Sequence, residues 1–474
     1  MRQPARNSRN AMSRSNTAAP IVPRRAIWGW VLFDWACQPF FTLITTFVYA
    51  PYFASVIVGD AARGQALWGF AAGAAGVLIA LFSPILGAVA DATGRRKPWI
   101  AAFGALLVIG SSALWLGRPG DASTIWIVLV AFVIGSIGVE FATVFNNSMM
   151  PSLVPPERLG RLSGLGWAMG YVGGLVSLAF TLGLLAASPQ TGRTLVGVTP
   201  LFGLEAAAHE GDRATGPLAA LWFVAFVLPL FLFTPDGKKA MNLGPAIRVG
   251  GQVFVATLRE IRKYVNCVLF LLANMVYANG LGALFAFGGI YAAGNFGWST
   301  IEIGVFGILI TIAASAGALA GGRLDDRYGS KTVVLAALAV LIAMSVSILS
   351  VDRDTVFFVF PAEPAVRGAG LFRSLPEQLY IVFGAIIGVA AGPLQASSRT
   401  LLARLAPREH IGEFYGLFAL SGKLTSFAGP LAVAAVTAAT ASQKAGISVL
   451  VGFFAIGAGL LAFVRISGGS VGRR

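Results

Sequence analysis

Three ionisable side chains stand inside long apolar runs of this sequence: Asp34 in WVLFDWACQPF, Glu140 in VIGSIGVEFATVF and Lys423 in LFALSGKLTSF. A charge surrounded by hydrocarbon is costly and persists where it faces a partner or a water-filled path, so each is a functional candidate. At a rise of about 1.5 Å per residue, Glu140 lies roughly 15 Å from the end of its run at Met150, and Lys423 roughly 15 Å from Glu413. Both fall near the middle of a hydrocarbon core about 30 Å thick. Asp34 is about 10 Å or less from Ile27, in the third nearest the N-terminal tail. An anion and a cation at one depth suit a zwitterionic solute, with Glu140 facing its ammonium and Lys423 its carboxylate. The plainer alternative is a salt bridge within the bundle, between these two or with Asp34, because lone buried charges are so unfavourable. Either carboxylate is also a candidate carrier of a coupling proton.

Neutral polar residues extend these positions into faces. Asp34, Gln38, Thr42, Thr45 and Tyr49 recur at steps of three and four, which is one side of a helix. Glu140, Thr143 and Asn147 do the same, as do Gln395 and Arg399, while Asn274, Tyr277 and Asn279 cluster in another run. Polar stripes of this kind suit the wall of an aqueous path and suit lipid poorly.

The elements that must position them follow from composition. The 474 residues are 56% hydrophobic and only 12% charged, with a mean hydropathy of +0.77. That places the chain among all-α polytopic membrane proteins. The net charge of +15 could suggest nucleic acid. No long soluble segment gathers those bases, so no nucleic-acid partner is expected. Cys37 and Cys267 lie in or beside apolar runs, which argues against a disulfide framework. His209 and His410 form no ligand set with them, so neither a metal nor a cofactor is expected. Residues 1–26 lack an apolar core and cleavage site of a signal peptide, leaving the first span as the insertion signal.

Twelve apolar runs are long enough to cross a bilayer: near 27–58, 66–90, 98–117, 124–150, 163–187, 217–234, 266–294, 300–322, 332–350, 377–398, 413–439 and 446–465. Placing the N-terminus in the cytoplasm puts 26 of the 35 Lys and Arg on the inside, 8 outside and one, Lys423, within a span. By the positive-inside rule both termini are expected in the cytoplasm. No H-E-x-x-H pattern or intramembrane histidine is present, and the GLGWAMGYVGG stretch sits within an apolar span where it reads as helix packing, so no enzyme is expected.

The sequence also repeats. GAVADATGRRK after span 2 matches GRLDDRYGSK after span 8. Gly87, Asp91, Gly94 and Arg96 align with Gly322, Asp326, Gly329 and Lys331, with Arg95 and Arg327 close by. PPERLGRLSGL after span 4 likewise matches PREHIGEFYGL after span 10. Two parallel six-span halves place a binding site between them near the midplane, reached alternately from each side. The expected organisation is a basic tail (1–26), a first bundle (27–234), a linker (235–265), a second bundle (266–465) and a short tail (466–474). Phe254, Val255, Leu258 and Ile261 against Arg259, Arg262 and Lys263 predict an amphipathic surface helix in the linker, with a plain tether as the alternative.

The repeated G-x3-D-x2-G-R-[RK] motif resembles that of the major facilitator superfamily. LFDWACQPF, FNNSMMPSLVPPERLGRLSGLGWAMGYVGG, AFGGIYAAGNFG and GPLQASSRTLLARLAPREHIGEFYGLFALSGK are similar to the branch of the autophagy-related vacuolar amino-acid effluxer and its bacterial relatives. The chain has CQPF where that branch usually carries small polar residues. The resemblance implies the twelve-helix major facilitator fold, spans 1, 4, 7 and 10 around the cavity, and secondary transport of a small polar solute such as amino acids, outward or by exchange. It implies a monomer in a bacterial inner membrane. It also favours a gating role for Asp91 and Asp326 over a purely topological role for the bases. A receptor or assembly factor on the same fold is the other class of function.

Overall fold

A computed structural model of the protein describes residues 22–465 apart from 60, 190, 260, 297, 299, 364–371, 427 and 441. Eleven helical stretches among the described residues are long and apolar enough to cross a membrane. In chain order they are α1 (Arg24–Ile57), α2 (Leu67–Thr93), α3 (Lys97–Leu116), α4 (Ala122–Ser152), α5 (Pro156–Leu185) and α6 (Glu210–Phe233). The second half holds α7 (Val265–Phe296), α8 (Thr300–Tyr328), α9 (Ser330–Leu349), α10 (Leu375–Leu405) and α12 (Gln443–Ala462). The span expected over 413–439 is α11, and it is divided into Ile411–Leu424 and Ala428–Thr440. Thr425 and Ser426 form the turn between the pieces.

α1 is also irregular. Pro39 lacks a backbone donor, and the helix continues as a wider π-helical stretch from Phe40 to Phe47. Val48, at φ −120° and ψ −64°, then breaks the regular path. This shifts the helical phase. Tyr49 therefore leaves the polar face predicted for Asp34 and Gln38 and turns into its own bundle, where its hydroxyl donates to the Leu114 carbonyl at 2.6 Å.

The halves meet along two symmetry-related seams, α2 with α11 and α5 with α8. Glycine makes both seams possible. A Cβ on Gly87 or Gly416 would strike backbone of the opposite helix, as would one on Gly164 or Gly322. Gly94 and Gly329 close the α2–α3 and α8–α9 turns at φ +77° and +85°, values that favour residues without a Cβ. The segment Leu243–Arg259 is helical and lies against α2. A short hairpin, β1 (Thr355–Val356) with β2 (Phe360–Pro361), stands between α9 and α10 at the end away from the termini.

Candidate functional site

The structure gathers its buried polar groups where α1, α4, α5 and α10 converge. Arg399 of α10 is only 4% exposed. Its Nη1 donates to Asp34 Oδ2 on α1 at 3.0 Å and to Asn147 Oδ1 on α4 at 3.1 Å. Its Nε donates to Ser163 Oγ on α5 at 2.8 Å, and Nη2 to the Ser163 carbonyl at 2.6 Å. The Ser163 hydroxyl in turn donates to the Ala396 carbonyl, back on α10, at 2.7 Å. Trp30 and Trp167 lie 5.2 and 5.8 Å from the guanidinium carbon, so aromatic rings cover what the hydrogen bonds leave. A planar fork with five donors fits this set of acceptors, where a single ammonium could not reach them all.

One helical turn along α10, Gln395 donates to the Tyr171 hydroxyl of α5 at 2.7 Å. Gln38 packs against Gly170 and Gly174 of α5, within the first half. Glu140 shares the Asn147 face of α4 and lies about 10 Å further from the termini end, seven residues on at 1.5 Å each. It is half-buried. The Lys423 side chain lies outside the described residues. Asp34, which the sequence offered either as a lone charge or as a partner of Glu140 and Lys423, pairs with Arg399.

The helix α7 candidates sit elsewhere. Asn274 donates to Ser421 Oγ at 3.2 Å, and Tyr277 shares a 2.6 Å hydrogen bond with Ser398. Both are buried between helices of the second half, where they brace α7 against α10 and α11.

Toward the termini end, the repeated motif closes both seams. Asp91 accepts from the N–H groups of Gly412 and Glu413 at 3.1 and 3.0 Å, at the start of α11, and pairs with Arg96. Asp326 accepts from the N–H groups of Gly160 and Arg161 at 2.9 and 3.2 Å, at the start of α5, with Arg161 Nε at 3.1 Å. Each carboxylate therefore caps a helix N-terminus of the other half, where the exposed amides and the helix dipole favour negative charge. Arg95 lies 3.6 Å from Asp236, Arg327 stacks over Tyr328, and Lys331 donates to the Ala462 and Val464 carbonyls of α12 at 2.8 Å each.

Several participants were not singled out from sequence. Asp325 is fully buried and bridges Arg404 at 2.8 Å and Ser330 at 3.0 Å. Ser163, Trp30, Trp167 and Tyr171 had no signal beyond lying within the quoted motifs. A serine or tryptophan in an apolar span is ordinary until a buried cation is found beside it. The links joining the halves described here lie between the termini end and the middle of the bundle.

Comparison with known proteins agrees with this architecture. The family described as "Vacuole effluxer Atg22 like" matches residues 156–472, and "Major Facilitator Superfamily" matches residues 2–178. The chain is 24% identical to an uncharacterized MFS-type transporter, YxiO, of Bacillus subtilis (strain 168), across 92% of this chain and 94% of that one. It is 25% identical to autophagy-related protein 22 of Cryptococcus neoformans over 60% of its length, spanning 47% of the fungal protein. It is 27% identical to the class C tetracycline resistance protein of Escherichia coli over 80% of its length and 83% of that protein. Among solved structures it superposes on the transporter FucP in the outward conformation with a TM-score of 0.67 at 14% identity, covering 94% of this chain and 99% of that one.

Proposed function

We propose a transport cycle from one premise: the chain belongs to the Atg22-like family of the Major Facilitator Superfamily and is a secondary transporter. The proposed cargo is a small polar solute of the amino-acid class, moved outward or by exchange. The proposed orientation puts both termini in the cytoplasm, as the distribution of bases favours. In that orientation the conformation described here has its cytoplasmic side closed.

One observation carries the reading. Arg399 of the second half is held by Asp34, Asn147 and Ser163 of the first, at the floor of the path between them. Opening the cytoplasmic side must separate Arg399 from these acceptors. A buried guanidinium cannot be left unpaired without a large penalty, so something has to replace Asp34 or neutralise the pair. A solute carboxylate reaching Arg399, with a proton passing to Asp34, does both. Glu140, further along the same face as Asn147, is placed to meet the solute ammonium. Asp91 and Asp326 then set the balance of states, because their helix-capping bonds exist only while the seams are shut.

Exchange in proteoliposomes tests the reading. Loaded with an amino-acid mixture, wild-type vesicles should show saturable, solute-dependent counterflow, and Glu140→Gln, which removes the charge facing the solute ammonium, should raise the solute concentration at half-saturation. Absence of counterflow with every amino acid offered would favour the receptor or assembly-factor alternative. Flux that does not saturate would indicate a passive pore.

A further inference from the structure

The second half has a cavity of about 670 Å³ that the transport path does not use. It opens at the termini end, between the α8–α9 turn and the last turn of α12. Tyr328, Lys331, Thr332, Phe463 and Arg465 line it. Its charge is one-sided. Among the described residues neither Lys331 nor Arg465 is paired with a carboxylate: Lys331 caps the α12 carbonyls, and the Arg465 backbone N–H is fixed by Asn266 Oδ1 at 2.8 Å. Arg327, stacked on Tyr328, adds a third cation at the rim. The nearby acids Asp325 and Asp326 are engaged by other partners, Asp325 by Arg404 and Ser330 and Asp326 by Gly160 and Arg161.

Apolar surface adjoins the charge. Phe463 is 75% and Tyr328 55% exposed, and Ile456 lies two turns along the same face of α12, at 60%. Aromatic side chains beside bases at the end of a membrane helix mark the lipid–water boundary. Basic recesses between membrane helices at that level suit phospholipid head groups.

We propose that this cavity binds the phosphodiester head group of an anionic phospholipid, with its acyl chains lying along Phe463 and Ile456. The phosphate sits against Arg465, the remaining donor of Lys331 and the Thr332 hydroxyl. The bound lipid ties the α8–α9 turn, which belongs to the gating motif, to the end of α12. The inference does not depend on which solute is carried.

Native mass spectrometry of the purified full chain tests it, with phosphatidylglycerol, phosphatidylcholine and inorganic phosphate as probes. Lys331 stays intact because it caps α12. Wild type should retain phosphatidylglycerol in preference to phosphatidylcholine. Arg465→Gln should weaken that retention roughly fivefold, the value of one surface cation near anionic lipid. Thr332→Glu should remove the preference altogether. Equal retention of the two lipids, or variants that hold phosphatidylglycerol like wild type, would overturn the proposal. Displacement of the lipid by an equal concentration of inorganic phosphate would reassign the cavity to a free anion and overturn it as well.

Discussion

Arg399 is a tightly constrained charge, because its four hydrogen bonds reach three helices of the opposite half. Removing one member of such a buried pair typically costs about 3–5 kcal/mol, since the remaining charge has no partner. Asp34→Asn and Arg399→Gln should each lower the melting temperature and abolish exchange. The Asp34→Asn, Arg399→Gln double variant should be more stable than the sum of the single losses predicts, and a thermal double-mutant cycle measures that difference. Arg399→Lys should also lose exchange despite keeping its charge, because an ammonium cannot serve Asp34, Asn147 and Ser163 together. Full transport by Arg399→Lys would show that charge alone suffices. From sequence, Asp34 was recognisable as the charge nearest the termini end of its helix, and Arg399 as a member of a polar face. Their pairing was not recognisable, because 365 positions separate them and nothing local to either residue names the other.

At the scale of elements, the two seams depend on backbone approaching backbone. Gly87 and Gly164 stand where any side chain would meet a carbonyl of the opposite helix. Gly164→Leu should therefore hold the α5–α8 seam apart. A cysteine placed at Ala396 should then be labelled from the termini side faster than in wild type, while exchange falls. Unchanged labelling would mean the seam closes around the added volume. Asp91 and Asp326 make the matching contribution from charge, each worth about 0.3–1 kcal/mol as a helix-terminus anion and up to about 2 when partly buried. Asp91→Asn and Asp326→Asn should shift the same equilibrium in the same direction, and their labelling effects should add because the seams share no partner. The repeat was visible in the sequence because glycine spacing and a carboxylate at fixed offset are local facts. The division of α11 at Thr425 and the π-helical stretch after Pro39 were not visible, since an apolar run reads alike whether it is wound regularly or not. That is why the predicted stripe runs from Asp34 through Gln38 to Thr42, inside the irregular stretch, and is lost by Tyr49.

For the whole molecule, alternating access requires the halves to part at the end where Asp91, Asp326 and Arg399 now join them. A cysteine pair at Arg161 and Asp326, whose side chains are 3.1 Å apart in wild type, should cross-link under oxidation and stop exchange, and a reductant should restore it to the level of the Asp326→Cys single variant. Native Cys37 and Cys267 are both buried and free, so they should not interfere. Exchange that continues with the cross-link formed would exclude rocking at this seam. What the sequence determined by itself was whatever hydrophobicity and short-range spacing encode: a membrane protein, two like-oriented halves, the face that carries the bases, and the glycine–aspartate motif at each seam. Which buried charge meets which was decided only by the tertiary structure. Partner choice in a dry interior depends on the depth and facing of helices brought together from distant parts of the chain, and a shift in helical phase of the kind seen in α1 is enough to change it.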